Sequence, residues 1–257
     1  MLNPKNILIS GAGSGIGRAL AIGYSCKESN IFLCGRNLEK LEKTKKICQA
    51  LGANIIIKSI DVTNNELLKS WIDDIDKSFN LDLVIANAGI SAGTSLSNES
   101  FAQIKGIFDV NVYGVLNLIQ PAIENMKKRG RGQIAIISSL AGFKGLPSSP
   151  AYSASKAAVR VYGEGLRGNL KQFGIEVSVV CPGYVKTPMT EINDFPMPLI
   201  MTPAKCVNII KKGLAKNKSR IAFPCALYFV IWFLTLLSNN ITDPIFARLP
   251  GKKPLQK

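Results

Sequence analysis

The sequence contains no histidine. That absence removes Ser-His-Asp hydrolysis, His-x-Glu deaminase chemistry and any His-ligated zinc centre. Cysteine is present at Cys26, Cys34, Cys48, Cys181, Cys206 and Cys225, but never as a Cys-x-x-Cys pair. Such irregular spacing in a chain of 257 residues argues for reduced thiols, a cytoplasmic setting and no metal site. Acidic residues are scarce: 17 Asp and Glu face 32 Lys and Arg, a net charge of +15. The excess either solvates a basic surface or attracts an anion, whether nucleotide phosphate, nucleic acid or acidic membrane. No basic run is interleaved with aromatics, so nucleic acid is not an expected partner. No leader peptide is expected either, because a strand-like run already begins near Lys5. There is no internal repeat and no interdomain linker.

What is present is apolar and regularly alternating. Apolar residues make up 47% and charged residues 19%, enough for one large α/β domain with a substantial core. Strand-length apolar runs at 6–10, 30–34, 54–59, 81–86, 133–138 and 175–180 alternate with helical stretches. The helices are read from the glycine-rich turn to about Lys27, then at 38–51, 66–79, 101–128 and 151–173, the last closed by Gly174. Continuous apolar strands between helices predict a parallel sheet with right-handed crossovers and helices on both faces.

The first strand runs into Ser10-Gly11-Ala12-Gly13-Ser14-Gly15-Ile16-Gly17, which opens a helix. Glycines there permit a tight turn and close approach to a pyrophosphate, while the helix N-terminus supplies donors. The spacing is Gly-x-x-x-Gly-x-Gly through Gly11, Gly15 and Gly17, with Ser14 and Ile16 between them. At the end of the second strand stands Cys34-Gly35-Arg36-Asn37. An acidic residue there would bond a ribose 2′-hydroxyl; its absence and the presence of Arg36 favour a 2′-phosphate, hence NADP(H) over NAD(H). Asp61 and Val62 would flank the adenine. Asn87-Ala88-Gly89 follows the fourth strand, at the carboxyl edge where such sheets bind ligands.

Tyr152 and Lys156 lie four residues apart, on one face of a helix, thirteen residues after Ser139. An ammonium beside a phenol favours the phenolate and would lower the tyrosine pKa, making Tyr152 a usable acid or base.

Taken together these residues make the chain resemble the single-domain short-chain dehydrogenases/reductases, over about residues 6–190. The carriers are Gly11, Gly15 and Gly17, then Asn87-Ala88-Gly89, Asn111, Ser139, Tyr152, Lys156 and Pro182-Gly183. The resemblance implies a Rossmann-like, doubly wound parallel α/β sheet of about seven strands and an Asn111, Ser139, Tyr152, Lys156 tetrad. Tyr152 would exchange a proton with the substrate oxygen and Ser139 would orient that oxygen. Ser138 is the neighbouring hydroxyl that the spacing disfavours. Lys156 would tune Tyr152 and hold the nicotinamide ribose, and Asn111 would hold a relay water. Pro182 and Gly183 would pack on the nicotinamide, with Val185 nearby and Thr187 on its carboxamide. A small carbonyl or alcohol substrate and a homodimer or homotetramer are implied, and residues 188–203 read as a substrate lid. A non-catalytic NADP(H)-binding sensor or docking module on the same fold is the alternative.

Residues 1–220 are assigned to the dinucleotide-binding and catalytic domain and 221–257 to an apolar appendage, although 220–223 also reads as a last strand. No charged side chain lies between Arg220 and Asp243, and Arg248, Lys252, Lys253 and Lys257 follow. About 13 apolar residues after Pro224 fall short of the ~20 that span a bilayer. Three placements remain open: packing on the protein or an oligomer interface, a monotopic helix on the inner face of a membrane, or a span.

Overall fold

The structure, a computed structural model, describes residues 3–94 and 98–248. Seven parallel strands form one sheet in the order β3-β2-β1-β4-β5-β6-β7. They are β1 (Asn6–Ser10), β2 (Asn30–Gly35), β3 (Asn54–Ser59), β4 (Leu83–Ala86), β5 (Gly132–Ile137), β6 (Ile175–Pro182) and β7 (Arg220–Phe223). The crossovers are α1 (Gly15–Tyr24), α2 (Leu38–Ala50), α3 (Asn65–Phe79), α4 (Phe101–Phe108), α5 (Gly114–Arg129), α6 (Pro150–Leu170), α7 (Pro188–Glu191) and α8 (Pro203–Ala215).

Alternation along β1 splits the core in two. Ile7 and Ile9 join Leu20 of α1, Leu41 of α2 and Ile210 of α8 on one face. Leu8 joins Leu68 and Ile72 of α3 and Leu118 and Ile119 of α5 on the other. Period-two side chains on a strand buried on both sides require this division. Strand order reverses between β1 and β4, so their crossovers leave on opposite faces and open a crevice at the carboxyl edge.

The amino edge is closed by polar side chains. Asn6, Asn30 and Asn54 lie in register on adjacent strands. Asn54 Nδ2 donates to Asn30 Oδ1 (2.9 Å) and Asn30 Nδ2 to Asn6 Oδ1 (2.8 Å). Asp82 accepts the backbone N–H groups of Lys5 and Asn6 at 2.9 and 3.0 Å. Asp76 pairs with Arg129 and accepts the Leu81 N–H at 2.9 Å, which pins the α3–β4 turn to the end of α5.

Several expected boundaries move. The first helix ends at Tyr24 rather than Lys27, and the run at 101–128 is three pieces rather than one helix. A π-helical segment, Asp109–Tyr113, separates α4 from α5. The boundary drawn between residues 220 and 221 falls inside β7, whose Ile221, Ala222 and Phe223 pair with β6. The appendage therefore begins at Pro224 and comprises α9 (Cys225–Thr235) and α10 (Asn239–Phe246). Leu227, Tyr228 and Ile231 of α9 pack on Leu140, Val179 and Cys181. Among the described residues no helix is long and apolar enough to cross a membrane. Of the basic tail, Lys252, Lys253 and Lys257 lie outside the described residues.

Candidate functional site

At the carboxyl edge, the β1–α1 turn is built to let other atoms come close. Gly11 has φ +65°, and a Cβ there would stand 2.8 Å from Ala88 Cα. Gly17 packs beneath it against the Gly11 carbonyl. Asn87 locks the arrangement from β4: its Nδ2 donates to the Ser10 carbonyl at 2.9 Å, and its N–H donates to Ser10 Oγ at 3.0 Å. Arg18 holds the turn from the far side through the Gly13 carbonyl at 2.5 Å and Thr44 Oγ1 at 3.2 Å. Ser14 is the N-cap of α1 yet makes no side-chain cap bond. The first amides of α1 are thus left for an anion, as a pyrophosphate site requires.

A cleft of about 320 Å³ runs along this edge. Its lining includes Gly11, Ser14, Gly15, Ile16, Arg36, Asp61, Val62, Asn87, Ala88, Gly89, Ser139, Tyr152, Lys156, Pro182 and Thr187. Four expected residues do not line it. Gly17 packs under the turn. Asn111 is wholly buried behind the cleft. Gly183 faces the appendage: a Cβ there would lie 3.0 Å from Pro224 Cδ and 3.2 Å from Leu227 Cδ2. Val185 is in the core, in a bridge with Met201 that ties down the base of the 188–200 segment. Lys40, unremarkable on a charged helix, joins Arg36 at the cleft and lies over Gly13. Asn37 caps α2 by accepting the Lys40 N–H at 2.8 Å, which fixes where that lysine emerges.

At the inner end, the Ser139 hydroxyl lies close enough to Tyr152 to lower its pKa. Ser139 Oγ also accepts the Ala141 N–H at 3.1 Å. Ser138 is committed elsewhere, donating to the Lys156 carbonyl at 2.8 Å, and is buried. Lys156 is only 4% exposed, and its Nζ donates to the Ile137 carbonyl at 2.9 Å. Burial lowers its pKa to about 8. The expected effect of Lys156 on Tyr152 is not what this geometry produces. Nζ lies 5.9 Å from the centre of the Tyr152 ring, and one of its three N–H groups is given to Ile137. Burial instead raises the Tyr152 pKa, the neighbouring Ser139 hydroxyl opposing it and Tyr184 adding to it.

Asn111 explains the π-helical break. Its Oδ1 accepts the Ile90 N–H at 2.8 Å; its Nδ2 donates to the Ile90 carbonyl at 2.9 Å and to Ser155 Oγ at 3.0 Å. Ser155 in turn donates to the Tyr152 carbonyl at 2.8 Å. One side chain thereby ties the irregular segment after β4 to the Tyr152 helix, and the extra residue of a π turn aims it there. These bonds leave one lone pair on Oδ1, close to Gly89 and Lys156.

A family model described as short chain dehydrogenase matches residues 5–195. The chain belongs to the short-chain dehydrogenases. An uncharacterized oxidoreductase of Myxococcus xanthus is 34% identical over 95% of this chain and 97% of its own length. A short-chain dehydrogenase/reductase of Burkholderia phymatum, solved with NAD, is 24% identical and shares the fold with a TM-score of 0.82, covering 100% of this chain and 99% of that one. An actinorhodin polyketide ketoreductase solved with NADPH is 23% identical, with a TM-score of 0.79 over 89% of this chain and 98% of that one. Both show the shared sheet. As a short-chain dehydrogenase the protein is an NAD(P)(H)-dependent oxidoreductase interconverting CH–OH and C=O groups.

Proposed function

We propose that the protein is an NADP(H)-dependent carbonyl reductase, or the reverse alcohol dehydrogenase, acting on an apolar, lipid-like substrate in the cytoplasm as a homodimer or homotetramer. One observation carries the reading: the side chains of Ser139 and Tyr152, Arg36 and the uncapped N-terminus of α1 all line the same cleft. When bound, the nicotinamide cofactor supplies or accepts the hydride. The protein handles the proton and the charges. Tyr152, held neutral by burial, donates its phenolic proton to a carbonyl oxygen, and Ser139 orients that oxygen by hydrogen bonding. Lys156, with a pKa near neutrality, stabilises the phenolate as it forms and anchors the ribose; Asn111 carries the relay water on its remaining lone pair. The α1 amides take the pyrophosphate. Arg36 and Lys40, exposed and without an ion pair among the described residues, take the 2′-phosphate. Thr187, 3.3 Å from where a Gly15 Cβ would stand, meets the carboxamide. The 188–200 segment supports an apolar substrate: Met189, Ile192 and Leu199 are exposed, and Tyr184 and Phe195 pack edge to face at 6.4 Å.

The test is nicotinamide oxidation with ketones and aldehydes of graded chain length, each offered with NADPH and NADH. NADPH should be preferred by roughly tenfold or more, with kcat/KM rising with chain length. Arg36→Asp should reverse the cofactor preference. Equal use of both cofactors by the native protein, unchanged by Arg36→Asp, would remove the NADP(H) assignment.

A further inference from the structure

A second concavity, about 780 Å³, lies along the outer side of β7, away from the catalytic cleft. β7 is the edge strand of the sheet, and α8 forms the other wall. Lys205, Lys212 and Lys216 occupy positions i, i+7 and i+11 of α8, one stripe with Ile209 between them. The opposite stripe of α8, with Val207, Ile210 and Leu214, is buried in the core. Lys218 extends the basic row beyond the helix. All four lysines are exposed, line the groove and form no ion pair among the described residues. Among the described residues the groove has no acidic lining residue. Its one other cation among the described residues, Arg220, is paired at 2.6 Å with Glu164, a carboxylate it shares with Arg160. The floor is apolar, with Ile221, Phe223 and Pro224.

This groove continues onto α9, because Cys225 is both the last lining residue and the first residue of that helix. Inward, α9 uses Leu227, Tyr228 and Ile231. Outward it presents Phe229 (61% exposed), Phe233 (56%) and Leu236 (63%), with Trp232 beside them. Ile241 and Ile245 of α10 extend the same apolar character. A stable monomer does not leave large aromatics in water without use. Eleven residues of helix, ~16 Å, are too short to cross a bilayer.

We propose that the Lys205–Lys218 groove and the outward face of α9 together form a docking surface for an anionic lipid bilayer. Phe229, Trp232 and Phe233 enter the headgroup and upper acyl region, and the lysines hold lipid phosphate. Either signal alone binds weakly; a short apolar insertion with a basic patch binds stably. The alternative occupant, a second copy, is disfavoured by charge. A two-fold contact through this groove would bring the four unpaired lysines of α8 and the turn after it against four of the same sign. The proposal stands apart from the catalytic reading and predicts binding in the absence of turnover.

The experiment is flotation of the full chain with phosphatidylcholine vesicles, alone or with roughly one-third phosphatidylglycerol, at low salt and at about 0.5 M salt. Partitioning to anionic vesicles should exceed that to neutral ones by about a hundredfold at low salt and fall steeply with salt. K205E/K212E/K216E/K218E should lower anionic partitioning at least ~30-fold. Phe229→Ser with Trp232→Ser and Phe233→Ser should remove the salt-resistant remainder. Both variants should keep NADPH binding and vesicle-free turnover of a water-soluble carbonyl, which reports folding. Indifference of the native protein to lipid charge overturns the proposal without any variant. So does native-like partitioning of both variants, or a native oligomer that the lysine variant dissociates while no vesicle binding is seen.

Discussion

The two edges of the sheet are finished in opposite ways. At the amino edge polar groups find protein partners: the asparagine ladder, Asp82 on the start of β1, Asp76 with Arg129 and the Leu81 backbone. At the carboxyl edge the same sheet leaves donors without a cap at α1, two cations without ion pairs among the described residues at Arg36 and Lys40, and a buried lysine held near pKa 8. One edge is closed for stability. The other holds groups that gain partners only when a phosphate, a ribose and a carbonyl arrive. Stability and function are therefore separable by position along each strand, and substitutions at the two edges should fail different assays.

The largest effect belongs to Tyr152→Phe. It deletes one hydroxyl, leaves the ring packed and removes the proton donor. Turnover should fall by at least about a thousandfold, while NADPH affinity stays within a few-fold and the melting temperature hardly moves. Stopped-flow turnover beside fluorescence titration of NADPH checks all of this. Retained turnover would show that the proton comes from elsewhere in the cleft.

The carboxyl edge was also the more legible in the sequence. The glycine spacing, the Tyr-x-x-x-Lys pair and the absence of an acid after β2 are local patterns, and each reports local chemistry. What escaped depended on residues far apart in the chain. Asn111 breaks the helical run at 101–128 because it bonds Ile90, twenty-one positions earlier, and no helix propensity encodes that. Gly183 reads as part of a nicotinamide motif but serves the approach of Pro224 and Leu227. The sign of the Tyr152 shift also required the structure. Proximity in sequence put an ammonium beside a phenol, whereas in the fold burial of Tyr152 dominates its shift. Lys40 resembled any other lysine on a charged helix until the turn at Gly13 was seen beneath it.

Lys156 tests whether the functional edge lowers stability. Its folded pKa, about 8, lies below the ordinary 10.5. Between those values the unfolded chain binds more protons than the folded one, so the native protein should gain stability as pH rises from 8 to 10.5. At pH 7 the buried charge costs about 3 kcal/mol, from the size of that shift. Lys156→Met should abolish turnover yet melt at or above the native temperature at pH 7, with the difference moving in favour of the native protein as pH rises toward 10.5. Chemical denaturation across that pH range reads it. A variant far less stable at pH 7 would mean that the Nζ bond to Ile137 outweighs the desolvation.

The smallest effect lies at the opposite edge, where Asn30→Ala cuts the ladder at its middle rung. Two side-chain hydrogen bonds are lost, to Asn6 and from Asn54, in a half-buried setting. A net loss of about 1–2 kcal/mol in unfolding free energy is expected, read from urea midpoints. NADPH affinity and kcat should be unchanged, because the ladder stands at the far end of β2 from Arg36. Tyr152→Phe spares stability and removes chemistry; Asn30→Ala should do the reverse. A change in cofactor affinity in the ladder variant would mean that strain at the amino edge travels along β2 to the nucleotide end, and the division between the edges would then be one of degree.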